Sequence, residues 1–174
     1  MTKYRELFRS YTSDQVDAYI RKHTTVVEKN IVFVQIVSRV RKHIRKPTKW
    51  LDAPIGAALL MDEIPFGQKF GLDYSPAMVG YSETRGIQVT VADILNEGSI
   101  KGDRIYDVVT CTNFLFGFCK DDQILALGNL ARLLKTNGVL IFNIDKRGHM
   151  EIYDCSEKES AVLVDDRGWD REEI

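Results

Sequence analysis

The stretch Lys49-Trp-Leu-Asp-Ala-Pro-Ile-Gly-Ala-Ala-Leu-Leu-Met-Asp-Glu-Ile64 decides how the chain is read. A short apolar run from Trp50 to Ala53 stops at Pro54 and Gly56. A helix-forming run, Ala57 to Ile64, follows at once. That order spells a strand, a tight turn and a helix. In a parallel α/β sheet such a turn lies at the carboxyl edge of the strand, where ligands bind. The start of the helix offers free backbone N–H groups and a partial positive charge to a polar or anionic ligand.

Working outward, the same alternation repeats. Lys69–Tyr74, Ile87–Asp93, Tyr106–Thr112 and Val139–Ile144 read as strands two to five. Ser75 and Pro76 open a helix as N-cap and first helical residue. Asp121 or Asp122 caps another, whose stripe is Ile124, Leu127, Leu130, Leu133 and Leu134 and whose stop signal is Asn137-Gly138. Strands alternating with helices imply a parallel sheet covered on both faces. Residues 1–46 read as helices, with Thr12 and Gln15 at capping-box spacing and Phe33, Ile36, Val37, Val40 and Ile44 at helical spacing. The β-branched composition makes a strand at Asn30–Val37 the competing reading, and the period favours helix. Met150–Asp154 and Ser160–Val164 read as two short strands.

The totals exclude several classes. With 174 residues the chain suits one domain, divided into a helical cap (1–46), a nucleotide-binding core (49–145) and a lid hairpin with tail (146–174). Lys+Arg number 24 and Asp+Glu 25, so net charge points to no nucleic acid or membrane partner. The basic run Arg39–Lys46 is short, lacks interleaved aromatics and suits a helix C-terminus, so it supports RNA binding only weakly. No apolar run reaches the length of a membrane span, and the N-terminus lacks a signal-peptide core. Three cysteines without a CxxC pair argue against a disulfide framework or a zinc site and for the reducing cytoplasm.

Three carboxylates fall near successive strand ends: Asp52, Asp73 and Asp93. A carboxylate about 20 residues after a Gly turn is placed to accept from a ribose diol, and Asp73 has that spacing from Gly56. Asp93, one strand over, is placed for an exocyclic amine. Each alone is equally a turn or cap residue; three in register point to an adenosine-type ligand.

The ordered segments Leu51-Asp-Ala-Pro-Ile-Gly-Ala-Ala58, Gly71-Leu-Asp-Tyr-Ser-Pro-Ala-Met78, Val91-Ala-Asp-Ile94, Tyr106-Asp-Val-Val-Thr-Cys111 and Leu133-Leu-Lys-Thr-Asn-Gly-Val-Leu-Ile-Phe142 resemble class I S-adenosylmethionine-dependent methyltransferases, most closely the small-molecule branch. The resemblance covers Trp50 to Ile144. It implies a Rossmann-like α/β sheet of parallel strands in the order 3-2-1-4-5, with S-adenosylmethionine as cofactor and S-adenosylhomocysteine as product. It implies that the Asp52–Ala58 turn, with Asp52, Ala53, Pro54 and Gly56, wraps the methionine part of the cofactor. Asp73 then holds the ribose, with Tyr74 and Met78 near the adenine. Asp93 and Ile94 face the adenine ring, and Thr112, Asn113 and Phe114 line the sulfonium and substrate. One of Tyr4, Tyr11 and Tyr19 closes over the cofactor, although packing is the commoner role for each. No metal is implied, and no acid/base dyad is required, because positioning and desolvation carry much of a methyl transfer.

Two departures stand against the family pattern. Gly-Thr-Gly is replaced by Gly56-Ala57-Ala58, and Cys by Ile55. Ala58 is expected to crowd the ligand, since the final glycine normally permits close backbone approach and positive φ. The segment after strand five is short and resembles an antiparallel lid; the chain is either a fragment or a short form. The strand-five edge is therefore expected to be exposed and to mediate association, as a homo-oligomer such as a dimer or with a partner. Two functions follow: methyl transfer to a small-molecule acceptor, or a non-catalytic methyltransferase-like module for binding or oligomerisation. Among single residues, His149 reads first as an exposed histidine and only secondarily as a base near the substrate mouth, and Phe114, Phe116 and Phe118 are expected mainly in the core, with Phe114 able to serve the substrate as well.

Overall fold

The computed structural model describes residues 9–27, 31–146 and 149–156, with side chains for 9–22 and 31–144. In chain order the elements are α1 (Ser13–Val27), α2 (Ile31–Arg41), β1 (Lys49–Asp52), α3 (Leu59–Asp62), β2 (Gln68–Asp73), α4 (Pro76–Glu83), β3 (Gln88–Val91), β4 (Tyr106–Cys111), α5 (Lys120–Ala131), β5 (Leu134–Lys146) and β6 (His149–Ser156). Short 3₁₀ turns at Glu97–Ser99 and Leu115–Gly117 precede β4 and α5 respectively. The sheet order is β3-β2-β1-β4-β5-β6, with the first five strands parallel and β6 antiparallel to β5.

Both faces of the sheet are covered, because successive side chains of a strand point to opposite sides. Trp50, Val108 and Ile141 face one layer with Phe33, Ile36, Val40 and Ile44 from α2 and its C-terminal turn, and Leu60 and Met61 from α3. Leu51, Val109, Cys111, Leu140 and Phe142 face the other, under Ala126, Leu127 and Leu130 of α5. Helix wins over strand at 31–41 because its apolar residues need a period near 3.6 to reach one face. Thr12 and Gln15 close the expected capping box: the Gln15 N–H donates to Thr12 Oγ1 (3.4 Å) and the Thr12 N–H to Gln15 Oε1 (2.8 Å). Ser75 caps α4 with Pro76 at its first position. Arg41 and Arg45 donate to backbone carbonyls of Glu63, and of Arg41 and Ile44, as cations at a helix C-terminus should.

Several boundaries differ from the sequence reading. The helix expected over Ala57–Ile64 is one turn, Leu59–Asp62: Ala57 and Ala58 form the turn, and Pro65 disfavours helix at Ile64. Strand three stops at Val91, so Asp93 lies in the loop. Neither Asp121 nor Asp122 caps α5; Cys119 is the N-cap, and both carboxylates sit in the first turn, favourable to the helix dipole. Asn137-Gly138 does not end that helix, which stops at Ala131. Asn137, at φ +66°, instead makes a kink inside β5, where Tyr106 pairs Leu134 but Val108 pairs Val139. Leu133 and Leu134 are buried from this connection rather than from the helix.

The strand-five edge is not open. β6 occupies it over eight residue pairs, from Val139↔Ser156 to Lys146↔His149. Antiparallel hairpin pairing within the chain satisfies the backbone groups of that edge, so the open edge expected at strand five is filled by β6. Met150–Asp154 is thus part of the main sheet and not one arm of a separate lid, and Ser160–Val164 lies outside the described residues. Among the described residues no helix is long and apolar enough to cross a membrane.

Candidate functional site

The carboxyl ends of β1, β2, β3 and β4 surround one cavity of about 490 Å³, within the usual range for small-molecule sites. The turn after β1 supplies Asp52, Pro54, Ile55, Gly56 and Ala57 to its wall. β2 and its following loop supply Leu72, Asp73, Tyr74 and Met78, and the loop after β3 supplies Ala92, Asp93, Ile94 and Leu95. The loop after β4 supplies Thr112, Asn113, Phe114, Phe116 and Phe118, and Tyr19, Phe33, Leu59 and Leu60 come from α1, α2 and α3. Of the strand-end residues expected to touch the cofactor, only Ala53 is absent from this wall. It is fully buried, and its N–H donates to the Thr110 carbonyl (2.9 Å), extending the β1–β4 ladder.

Asp73 ties the first two loops together. Its Oδ2 accepts from the Gly56 N–H (2.8 Å) and its Oδ1 from the Ser75 N–H (2.9 Å). The Gly56 carbonyl accepts from Ser82 Oγ (3.0 Å), so both backbone groups of this glycine are engaged. Burial pushes the Asp73 carboxyl above the usual range, and the N–H groups of Ser75, Gly56 and Tyr74 pull it back. A carboxylate has about four acceptor positions, so three backbone N–H groups leave capacity for one further donor such as a ribose hydroxyl. Asp93 repeats the pattern: its Oδ1 accepts from the Leu95 N–H (3.0 Å), and Ser99 Oγ accepts from the Asp93 N–H (3.0 Å). The cap role and the site position therefore belong to the same carboxylates.

Asp52 lies deeper. Its Oδ1 accepts from Thr110 Oγ1 (2.6 Å), which accepts in turn from the Trp50 indole N–H (2.9 Å). Burial raises its carboxyl to about 7; the Thr110 bond opposes this and the Asp73 charge adds to it. Burial likewise raises the Tyr19 hydroxyl, with Tyr11 and Asp73 adding to it, and Tyr19 lines the cavity. Tyr4 lies outside the described residues.

The altered turn behaves differently from the expectation. Gly56 and Ala58 both have positive φ, +52° and +57°. The Ala58 methyl does not enter the cavity; it packs in the layer beneath α2 with Ile36, Trp50 and Met61. The cost of Ala58 is conformational, about 1 kcal/mol for a non-glycine residue in this region, and not a clash with ligand. Ile55 is accommodated by Gly71: a Cβ at 71 would overlap Ile55 Cδ1 and lie 3.1 Å from its Cβ and Cγ2.

The wall beyond β4 is the less legible part. Phe114 both packs against the core and lines the cavity, Phe116 and Phe118 line the cavity in place of the core, and Leu115 among them is fully buried. The 3₁₀ turn at Leu115–Gly117 produces this split, and Gln123 Nε2 holds it by donating to the Leu115 and Phe118 carbonyls (2.9 and 3.0 Å). Asn113, at φ +56°, is held by Asn143 of β5: its N–H donates to Asn143 Oδ1 (2.7 Å) and Asn143 Nδ2 donates to Asn113 Oδ1 (3.1 Å). Asn143, Phe33, Leu59 and Leu60 escape the sequence reading, because no local pattern distinguishes them from packing residues. The side chain of His149 lies outside those described.

Residues 51–142 match the family described as "Methyltransferase domain". The chain belongs to that family. No curated protein matches the sequence. The methyltransferase domain superposes on the N-methyltransferase NodS of Bradyrhizobium japonicum, solved with S-adenosyl-L-homocysteine, at TM-score 0.56 and 16% identity. That match covers 67% of this chain and 64% of NodS, so the domain spans less than two thirds of that protein. A SAM-dependent methyltransferase of Thermotoga maritima aligns at TM-score 0.63 and 18% identity, over 90% of this chain and 78% of that one. One from Clostridium acetobutylicum aligns at 0.58 and 19%, over 75% and 57%. The shared fold is the Rossmann-like methyltransferase sheet, with strand order 3-2-1-4-5. The cofactor that this family implies is S-adenosylmethionine. The domain's residues fit it: buried Asp73 faces the cavity with acceptor capacity to spare, and Gly56 opens the turn beside it.

Proposed function

We propose that this methyltransferase domain binds S-adenosylmethionine in the cavity and transfers its methyl group to a small-molecule acceptor. The observation that carries the reading is the convergence of the β1 turn, Asp73 and Asp93 on one cavity at the carboxyl edge of the sheet. In this reading Asp52, Pro54 and Gly56 surround the amino-acid part of the cofactor. Asp73 accepts from the ribose hydroxyls, and Tyr74, Met78 and Ile94 pack the adenine, with Asp93 accepting from its amine. Thr112 and Asn113 border the reacting centre. Bound S-adenosylmethionine supplies an electrophilic methyl group on a sulfonium. The chain supplies orientation and a dry wall of apolar side chains, which is what an in-line displacement needs.

Calorimetric titration with S-adenosylmethionine and S-adenosylhomocysteine tests this. Micromolar binding that Asp73→Asn weakens by at least about tenfold, as expected for loss of a charge-assisted bond to a buried polar ligand, supports the cofactor site. A folded protein that binds neither ligand at millimolar concentration is instead a non-catalytic module.

A further inference from the structure

We infer that the acceptor is an amine carried on an apolar body, held by the phenylalanines beyond β4; this deepens the cofactor reading and rests on it. The cavity has two unlike ends, and topology separates them. β1 is central, with β2 and β3 on one side and β4 on the other. The nucleoside features, Asp73 and Asp93, lie on the β2–β3 side. The β4 side holds Thr112, Asn113, Phe114, Phe116 and Phe118. Phe114 and Phe118 stand 4.6 Å apart at 46°, and Phe116 is 55% exposed, so aromatic surface reaches from the cavity interior to its mouth.

Charge narrows the acceptor further. Among the described residues of the wall every ionisable side chain is a tyrosine or a carboxylate, and none is Lys, Arg or His. A carboxylate or phosphate acceptor would be desolvated against the rings with no Lys, Arg or His among the described residues of that end to pair it, which is costly; the described Arg9 lies over Tyr74, 5.5 Å from its ring centroid, on the nucleoside side. A cation or a group becoming cationic meets the opposite situation, because the aromatic faces attract it. Methylation of a neutral amine produces such a group. The bound ammonium first gives one N–H proton to water; the freed nitrogen lone pair then forms the N–C bond as the C–S bond breaks with its electron pair going to sulfur, and the product is the N-methylammonium. No base inside the wall is required. The aspartates are engaged elsewhere, since Asp73 and Asp93 hold backbone N–H groups and Asp52 accepts from Thr110.

The test uses the full chain saturated with S-adenosylhomocysteine, so that only the acceptor end is open. Three probes of similar shape are titrated by ligand-observed NMR: phenyltrimethylammonium, its neutral isostere tert-butylbenzene, and benzenesulfonate. The expected result is roughly tenfold tighter binding of the cation than of the neutral isostere, no binding of the sulfonate, and roughly fivefold loss of cation affinity in Phe116→Ala. Phe116 is exposed, so this variant does not threaten folding. With S-adenosylmethionine in place of the homocysteine, 2-phenylethylamine gains one methyl group and 3-phenylpropionate none. Equal or tighter binding of the neutral or anionic probe, methylation of the carboxylate, or cation binding indifferent to Phe116→Ala overturns the inference while leaving the cofactor reading intact. Failure of S-adenosylhomocysteine itself to bind overturns the cofactor reading first.

Discussion

The two sides of the cavity are built on opposite plans. On the β1–β3 side, carboxylates hold the loops: Asp73 fastens Gly56 and Ser75, and Asp93 fastens Leu95. On the β4 side, aromatic rings form the wall, and amide bonds from Asn143 and Gln123 hold the loop that carries them. The first plan fixes the position of every polar group in advance, which suits an invariant ligand. The second offers area without directional demands, which suits a variable acceptor. The same sheet edge thus carries a constant half and an adaptable half.

Asp73→Ala attacks the constant half most directly. It leaves the N–H groups of Gly56 and Ser75 without their acceptor, and unfolding in urea is expected to show a loss of about 2–4 kcal/mol. S-adenosylhomocysteine binding should disappear with it. A variant of unchanged stability would show that the carboxylate does not organise these loops.

Asp52 sharpens the contrast through pH. Its carboxyl is raised to about 7, so between the ordinary carboxylate range and pH 7 the folded state holds a proton that the unfolded state has released. The stability that this proton confers is fully present at low pH and lost as pH rises toward 7, by on the order of a few kcal/mol. The difference in unfolding free energy between wild type and Asp52→Asn should decline over that window and be flat above it. A bound cation favours the carboxylate, so cofactor affinity should fall as pH drops below 7, with proton release visible in calorimetry across two buffers.

Asn143→Ala tests the adaptable half. It removes both bonds to Asn113 and opens a small void in β5, for an expected loss of about 1–3 kcal/mol. Binding of phenyltrimethylammonium should weaken several-fold while S-adenosylhomocysteine affinity stays within about threefold. Equal loss for both ligands would show that the two halves are not independent.

Ala58→Gly is the mildest change. Relief of about 1 kcal/mol of positive-φ cost is offset by a lost buried methyl, about 0.8 kcal/mol, and by added freedom of the unfolded chain. Stability should fall by less than about 1 kcal/mol, and cofactor affinity should stay within twofold. A tenfold gain in affinity would mean that the methyl reaches the ligand after all.

The five parallel strands are legible in the sequence because each is a short apolar run bounded by turn residues, and both faces of the sheet must be buried. The carboxylates are legible because residue type and spacing report the strand ends directly. The ends of α5 and the start of β5 are not: Asn137-Gly138 states only that some turn with positive φ occurs, and a kink inside a strand uses it as readily as a helix end. Ala58 reads correctly as a positive-φ position and wrongly as facing the ligand, because a backbone angle does not say which side of the turn the methyl takes. The strand-five edge reads as open because pairing with β6 depends on a contact that the sequence pattern does not encode.

What the sequence determined by itself was the alternation of strands and helices, the capping box at Thr12, the Ser75–Pro76 start and the three carboxylates at the sheet edge. All of these rest on local periodicity and on side chains whose chemistry acts within a few residues. Only the tertiary structure decided that Phe116 and Phe118 join Phe114 in a wall while Leu115 enters the core, that Asn143 holds Asn113 from another strand, and that β6 covers β5. Those outcomes are set by which surfaces meet across the sheet, and burial of apolar area is indifferent to sequence order.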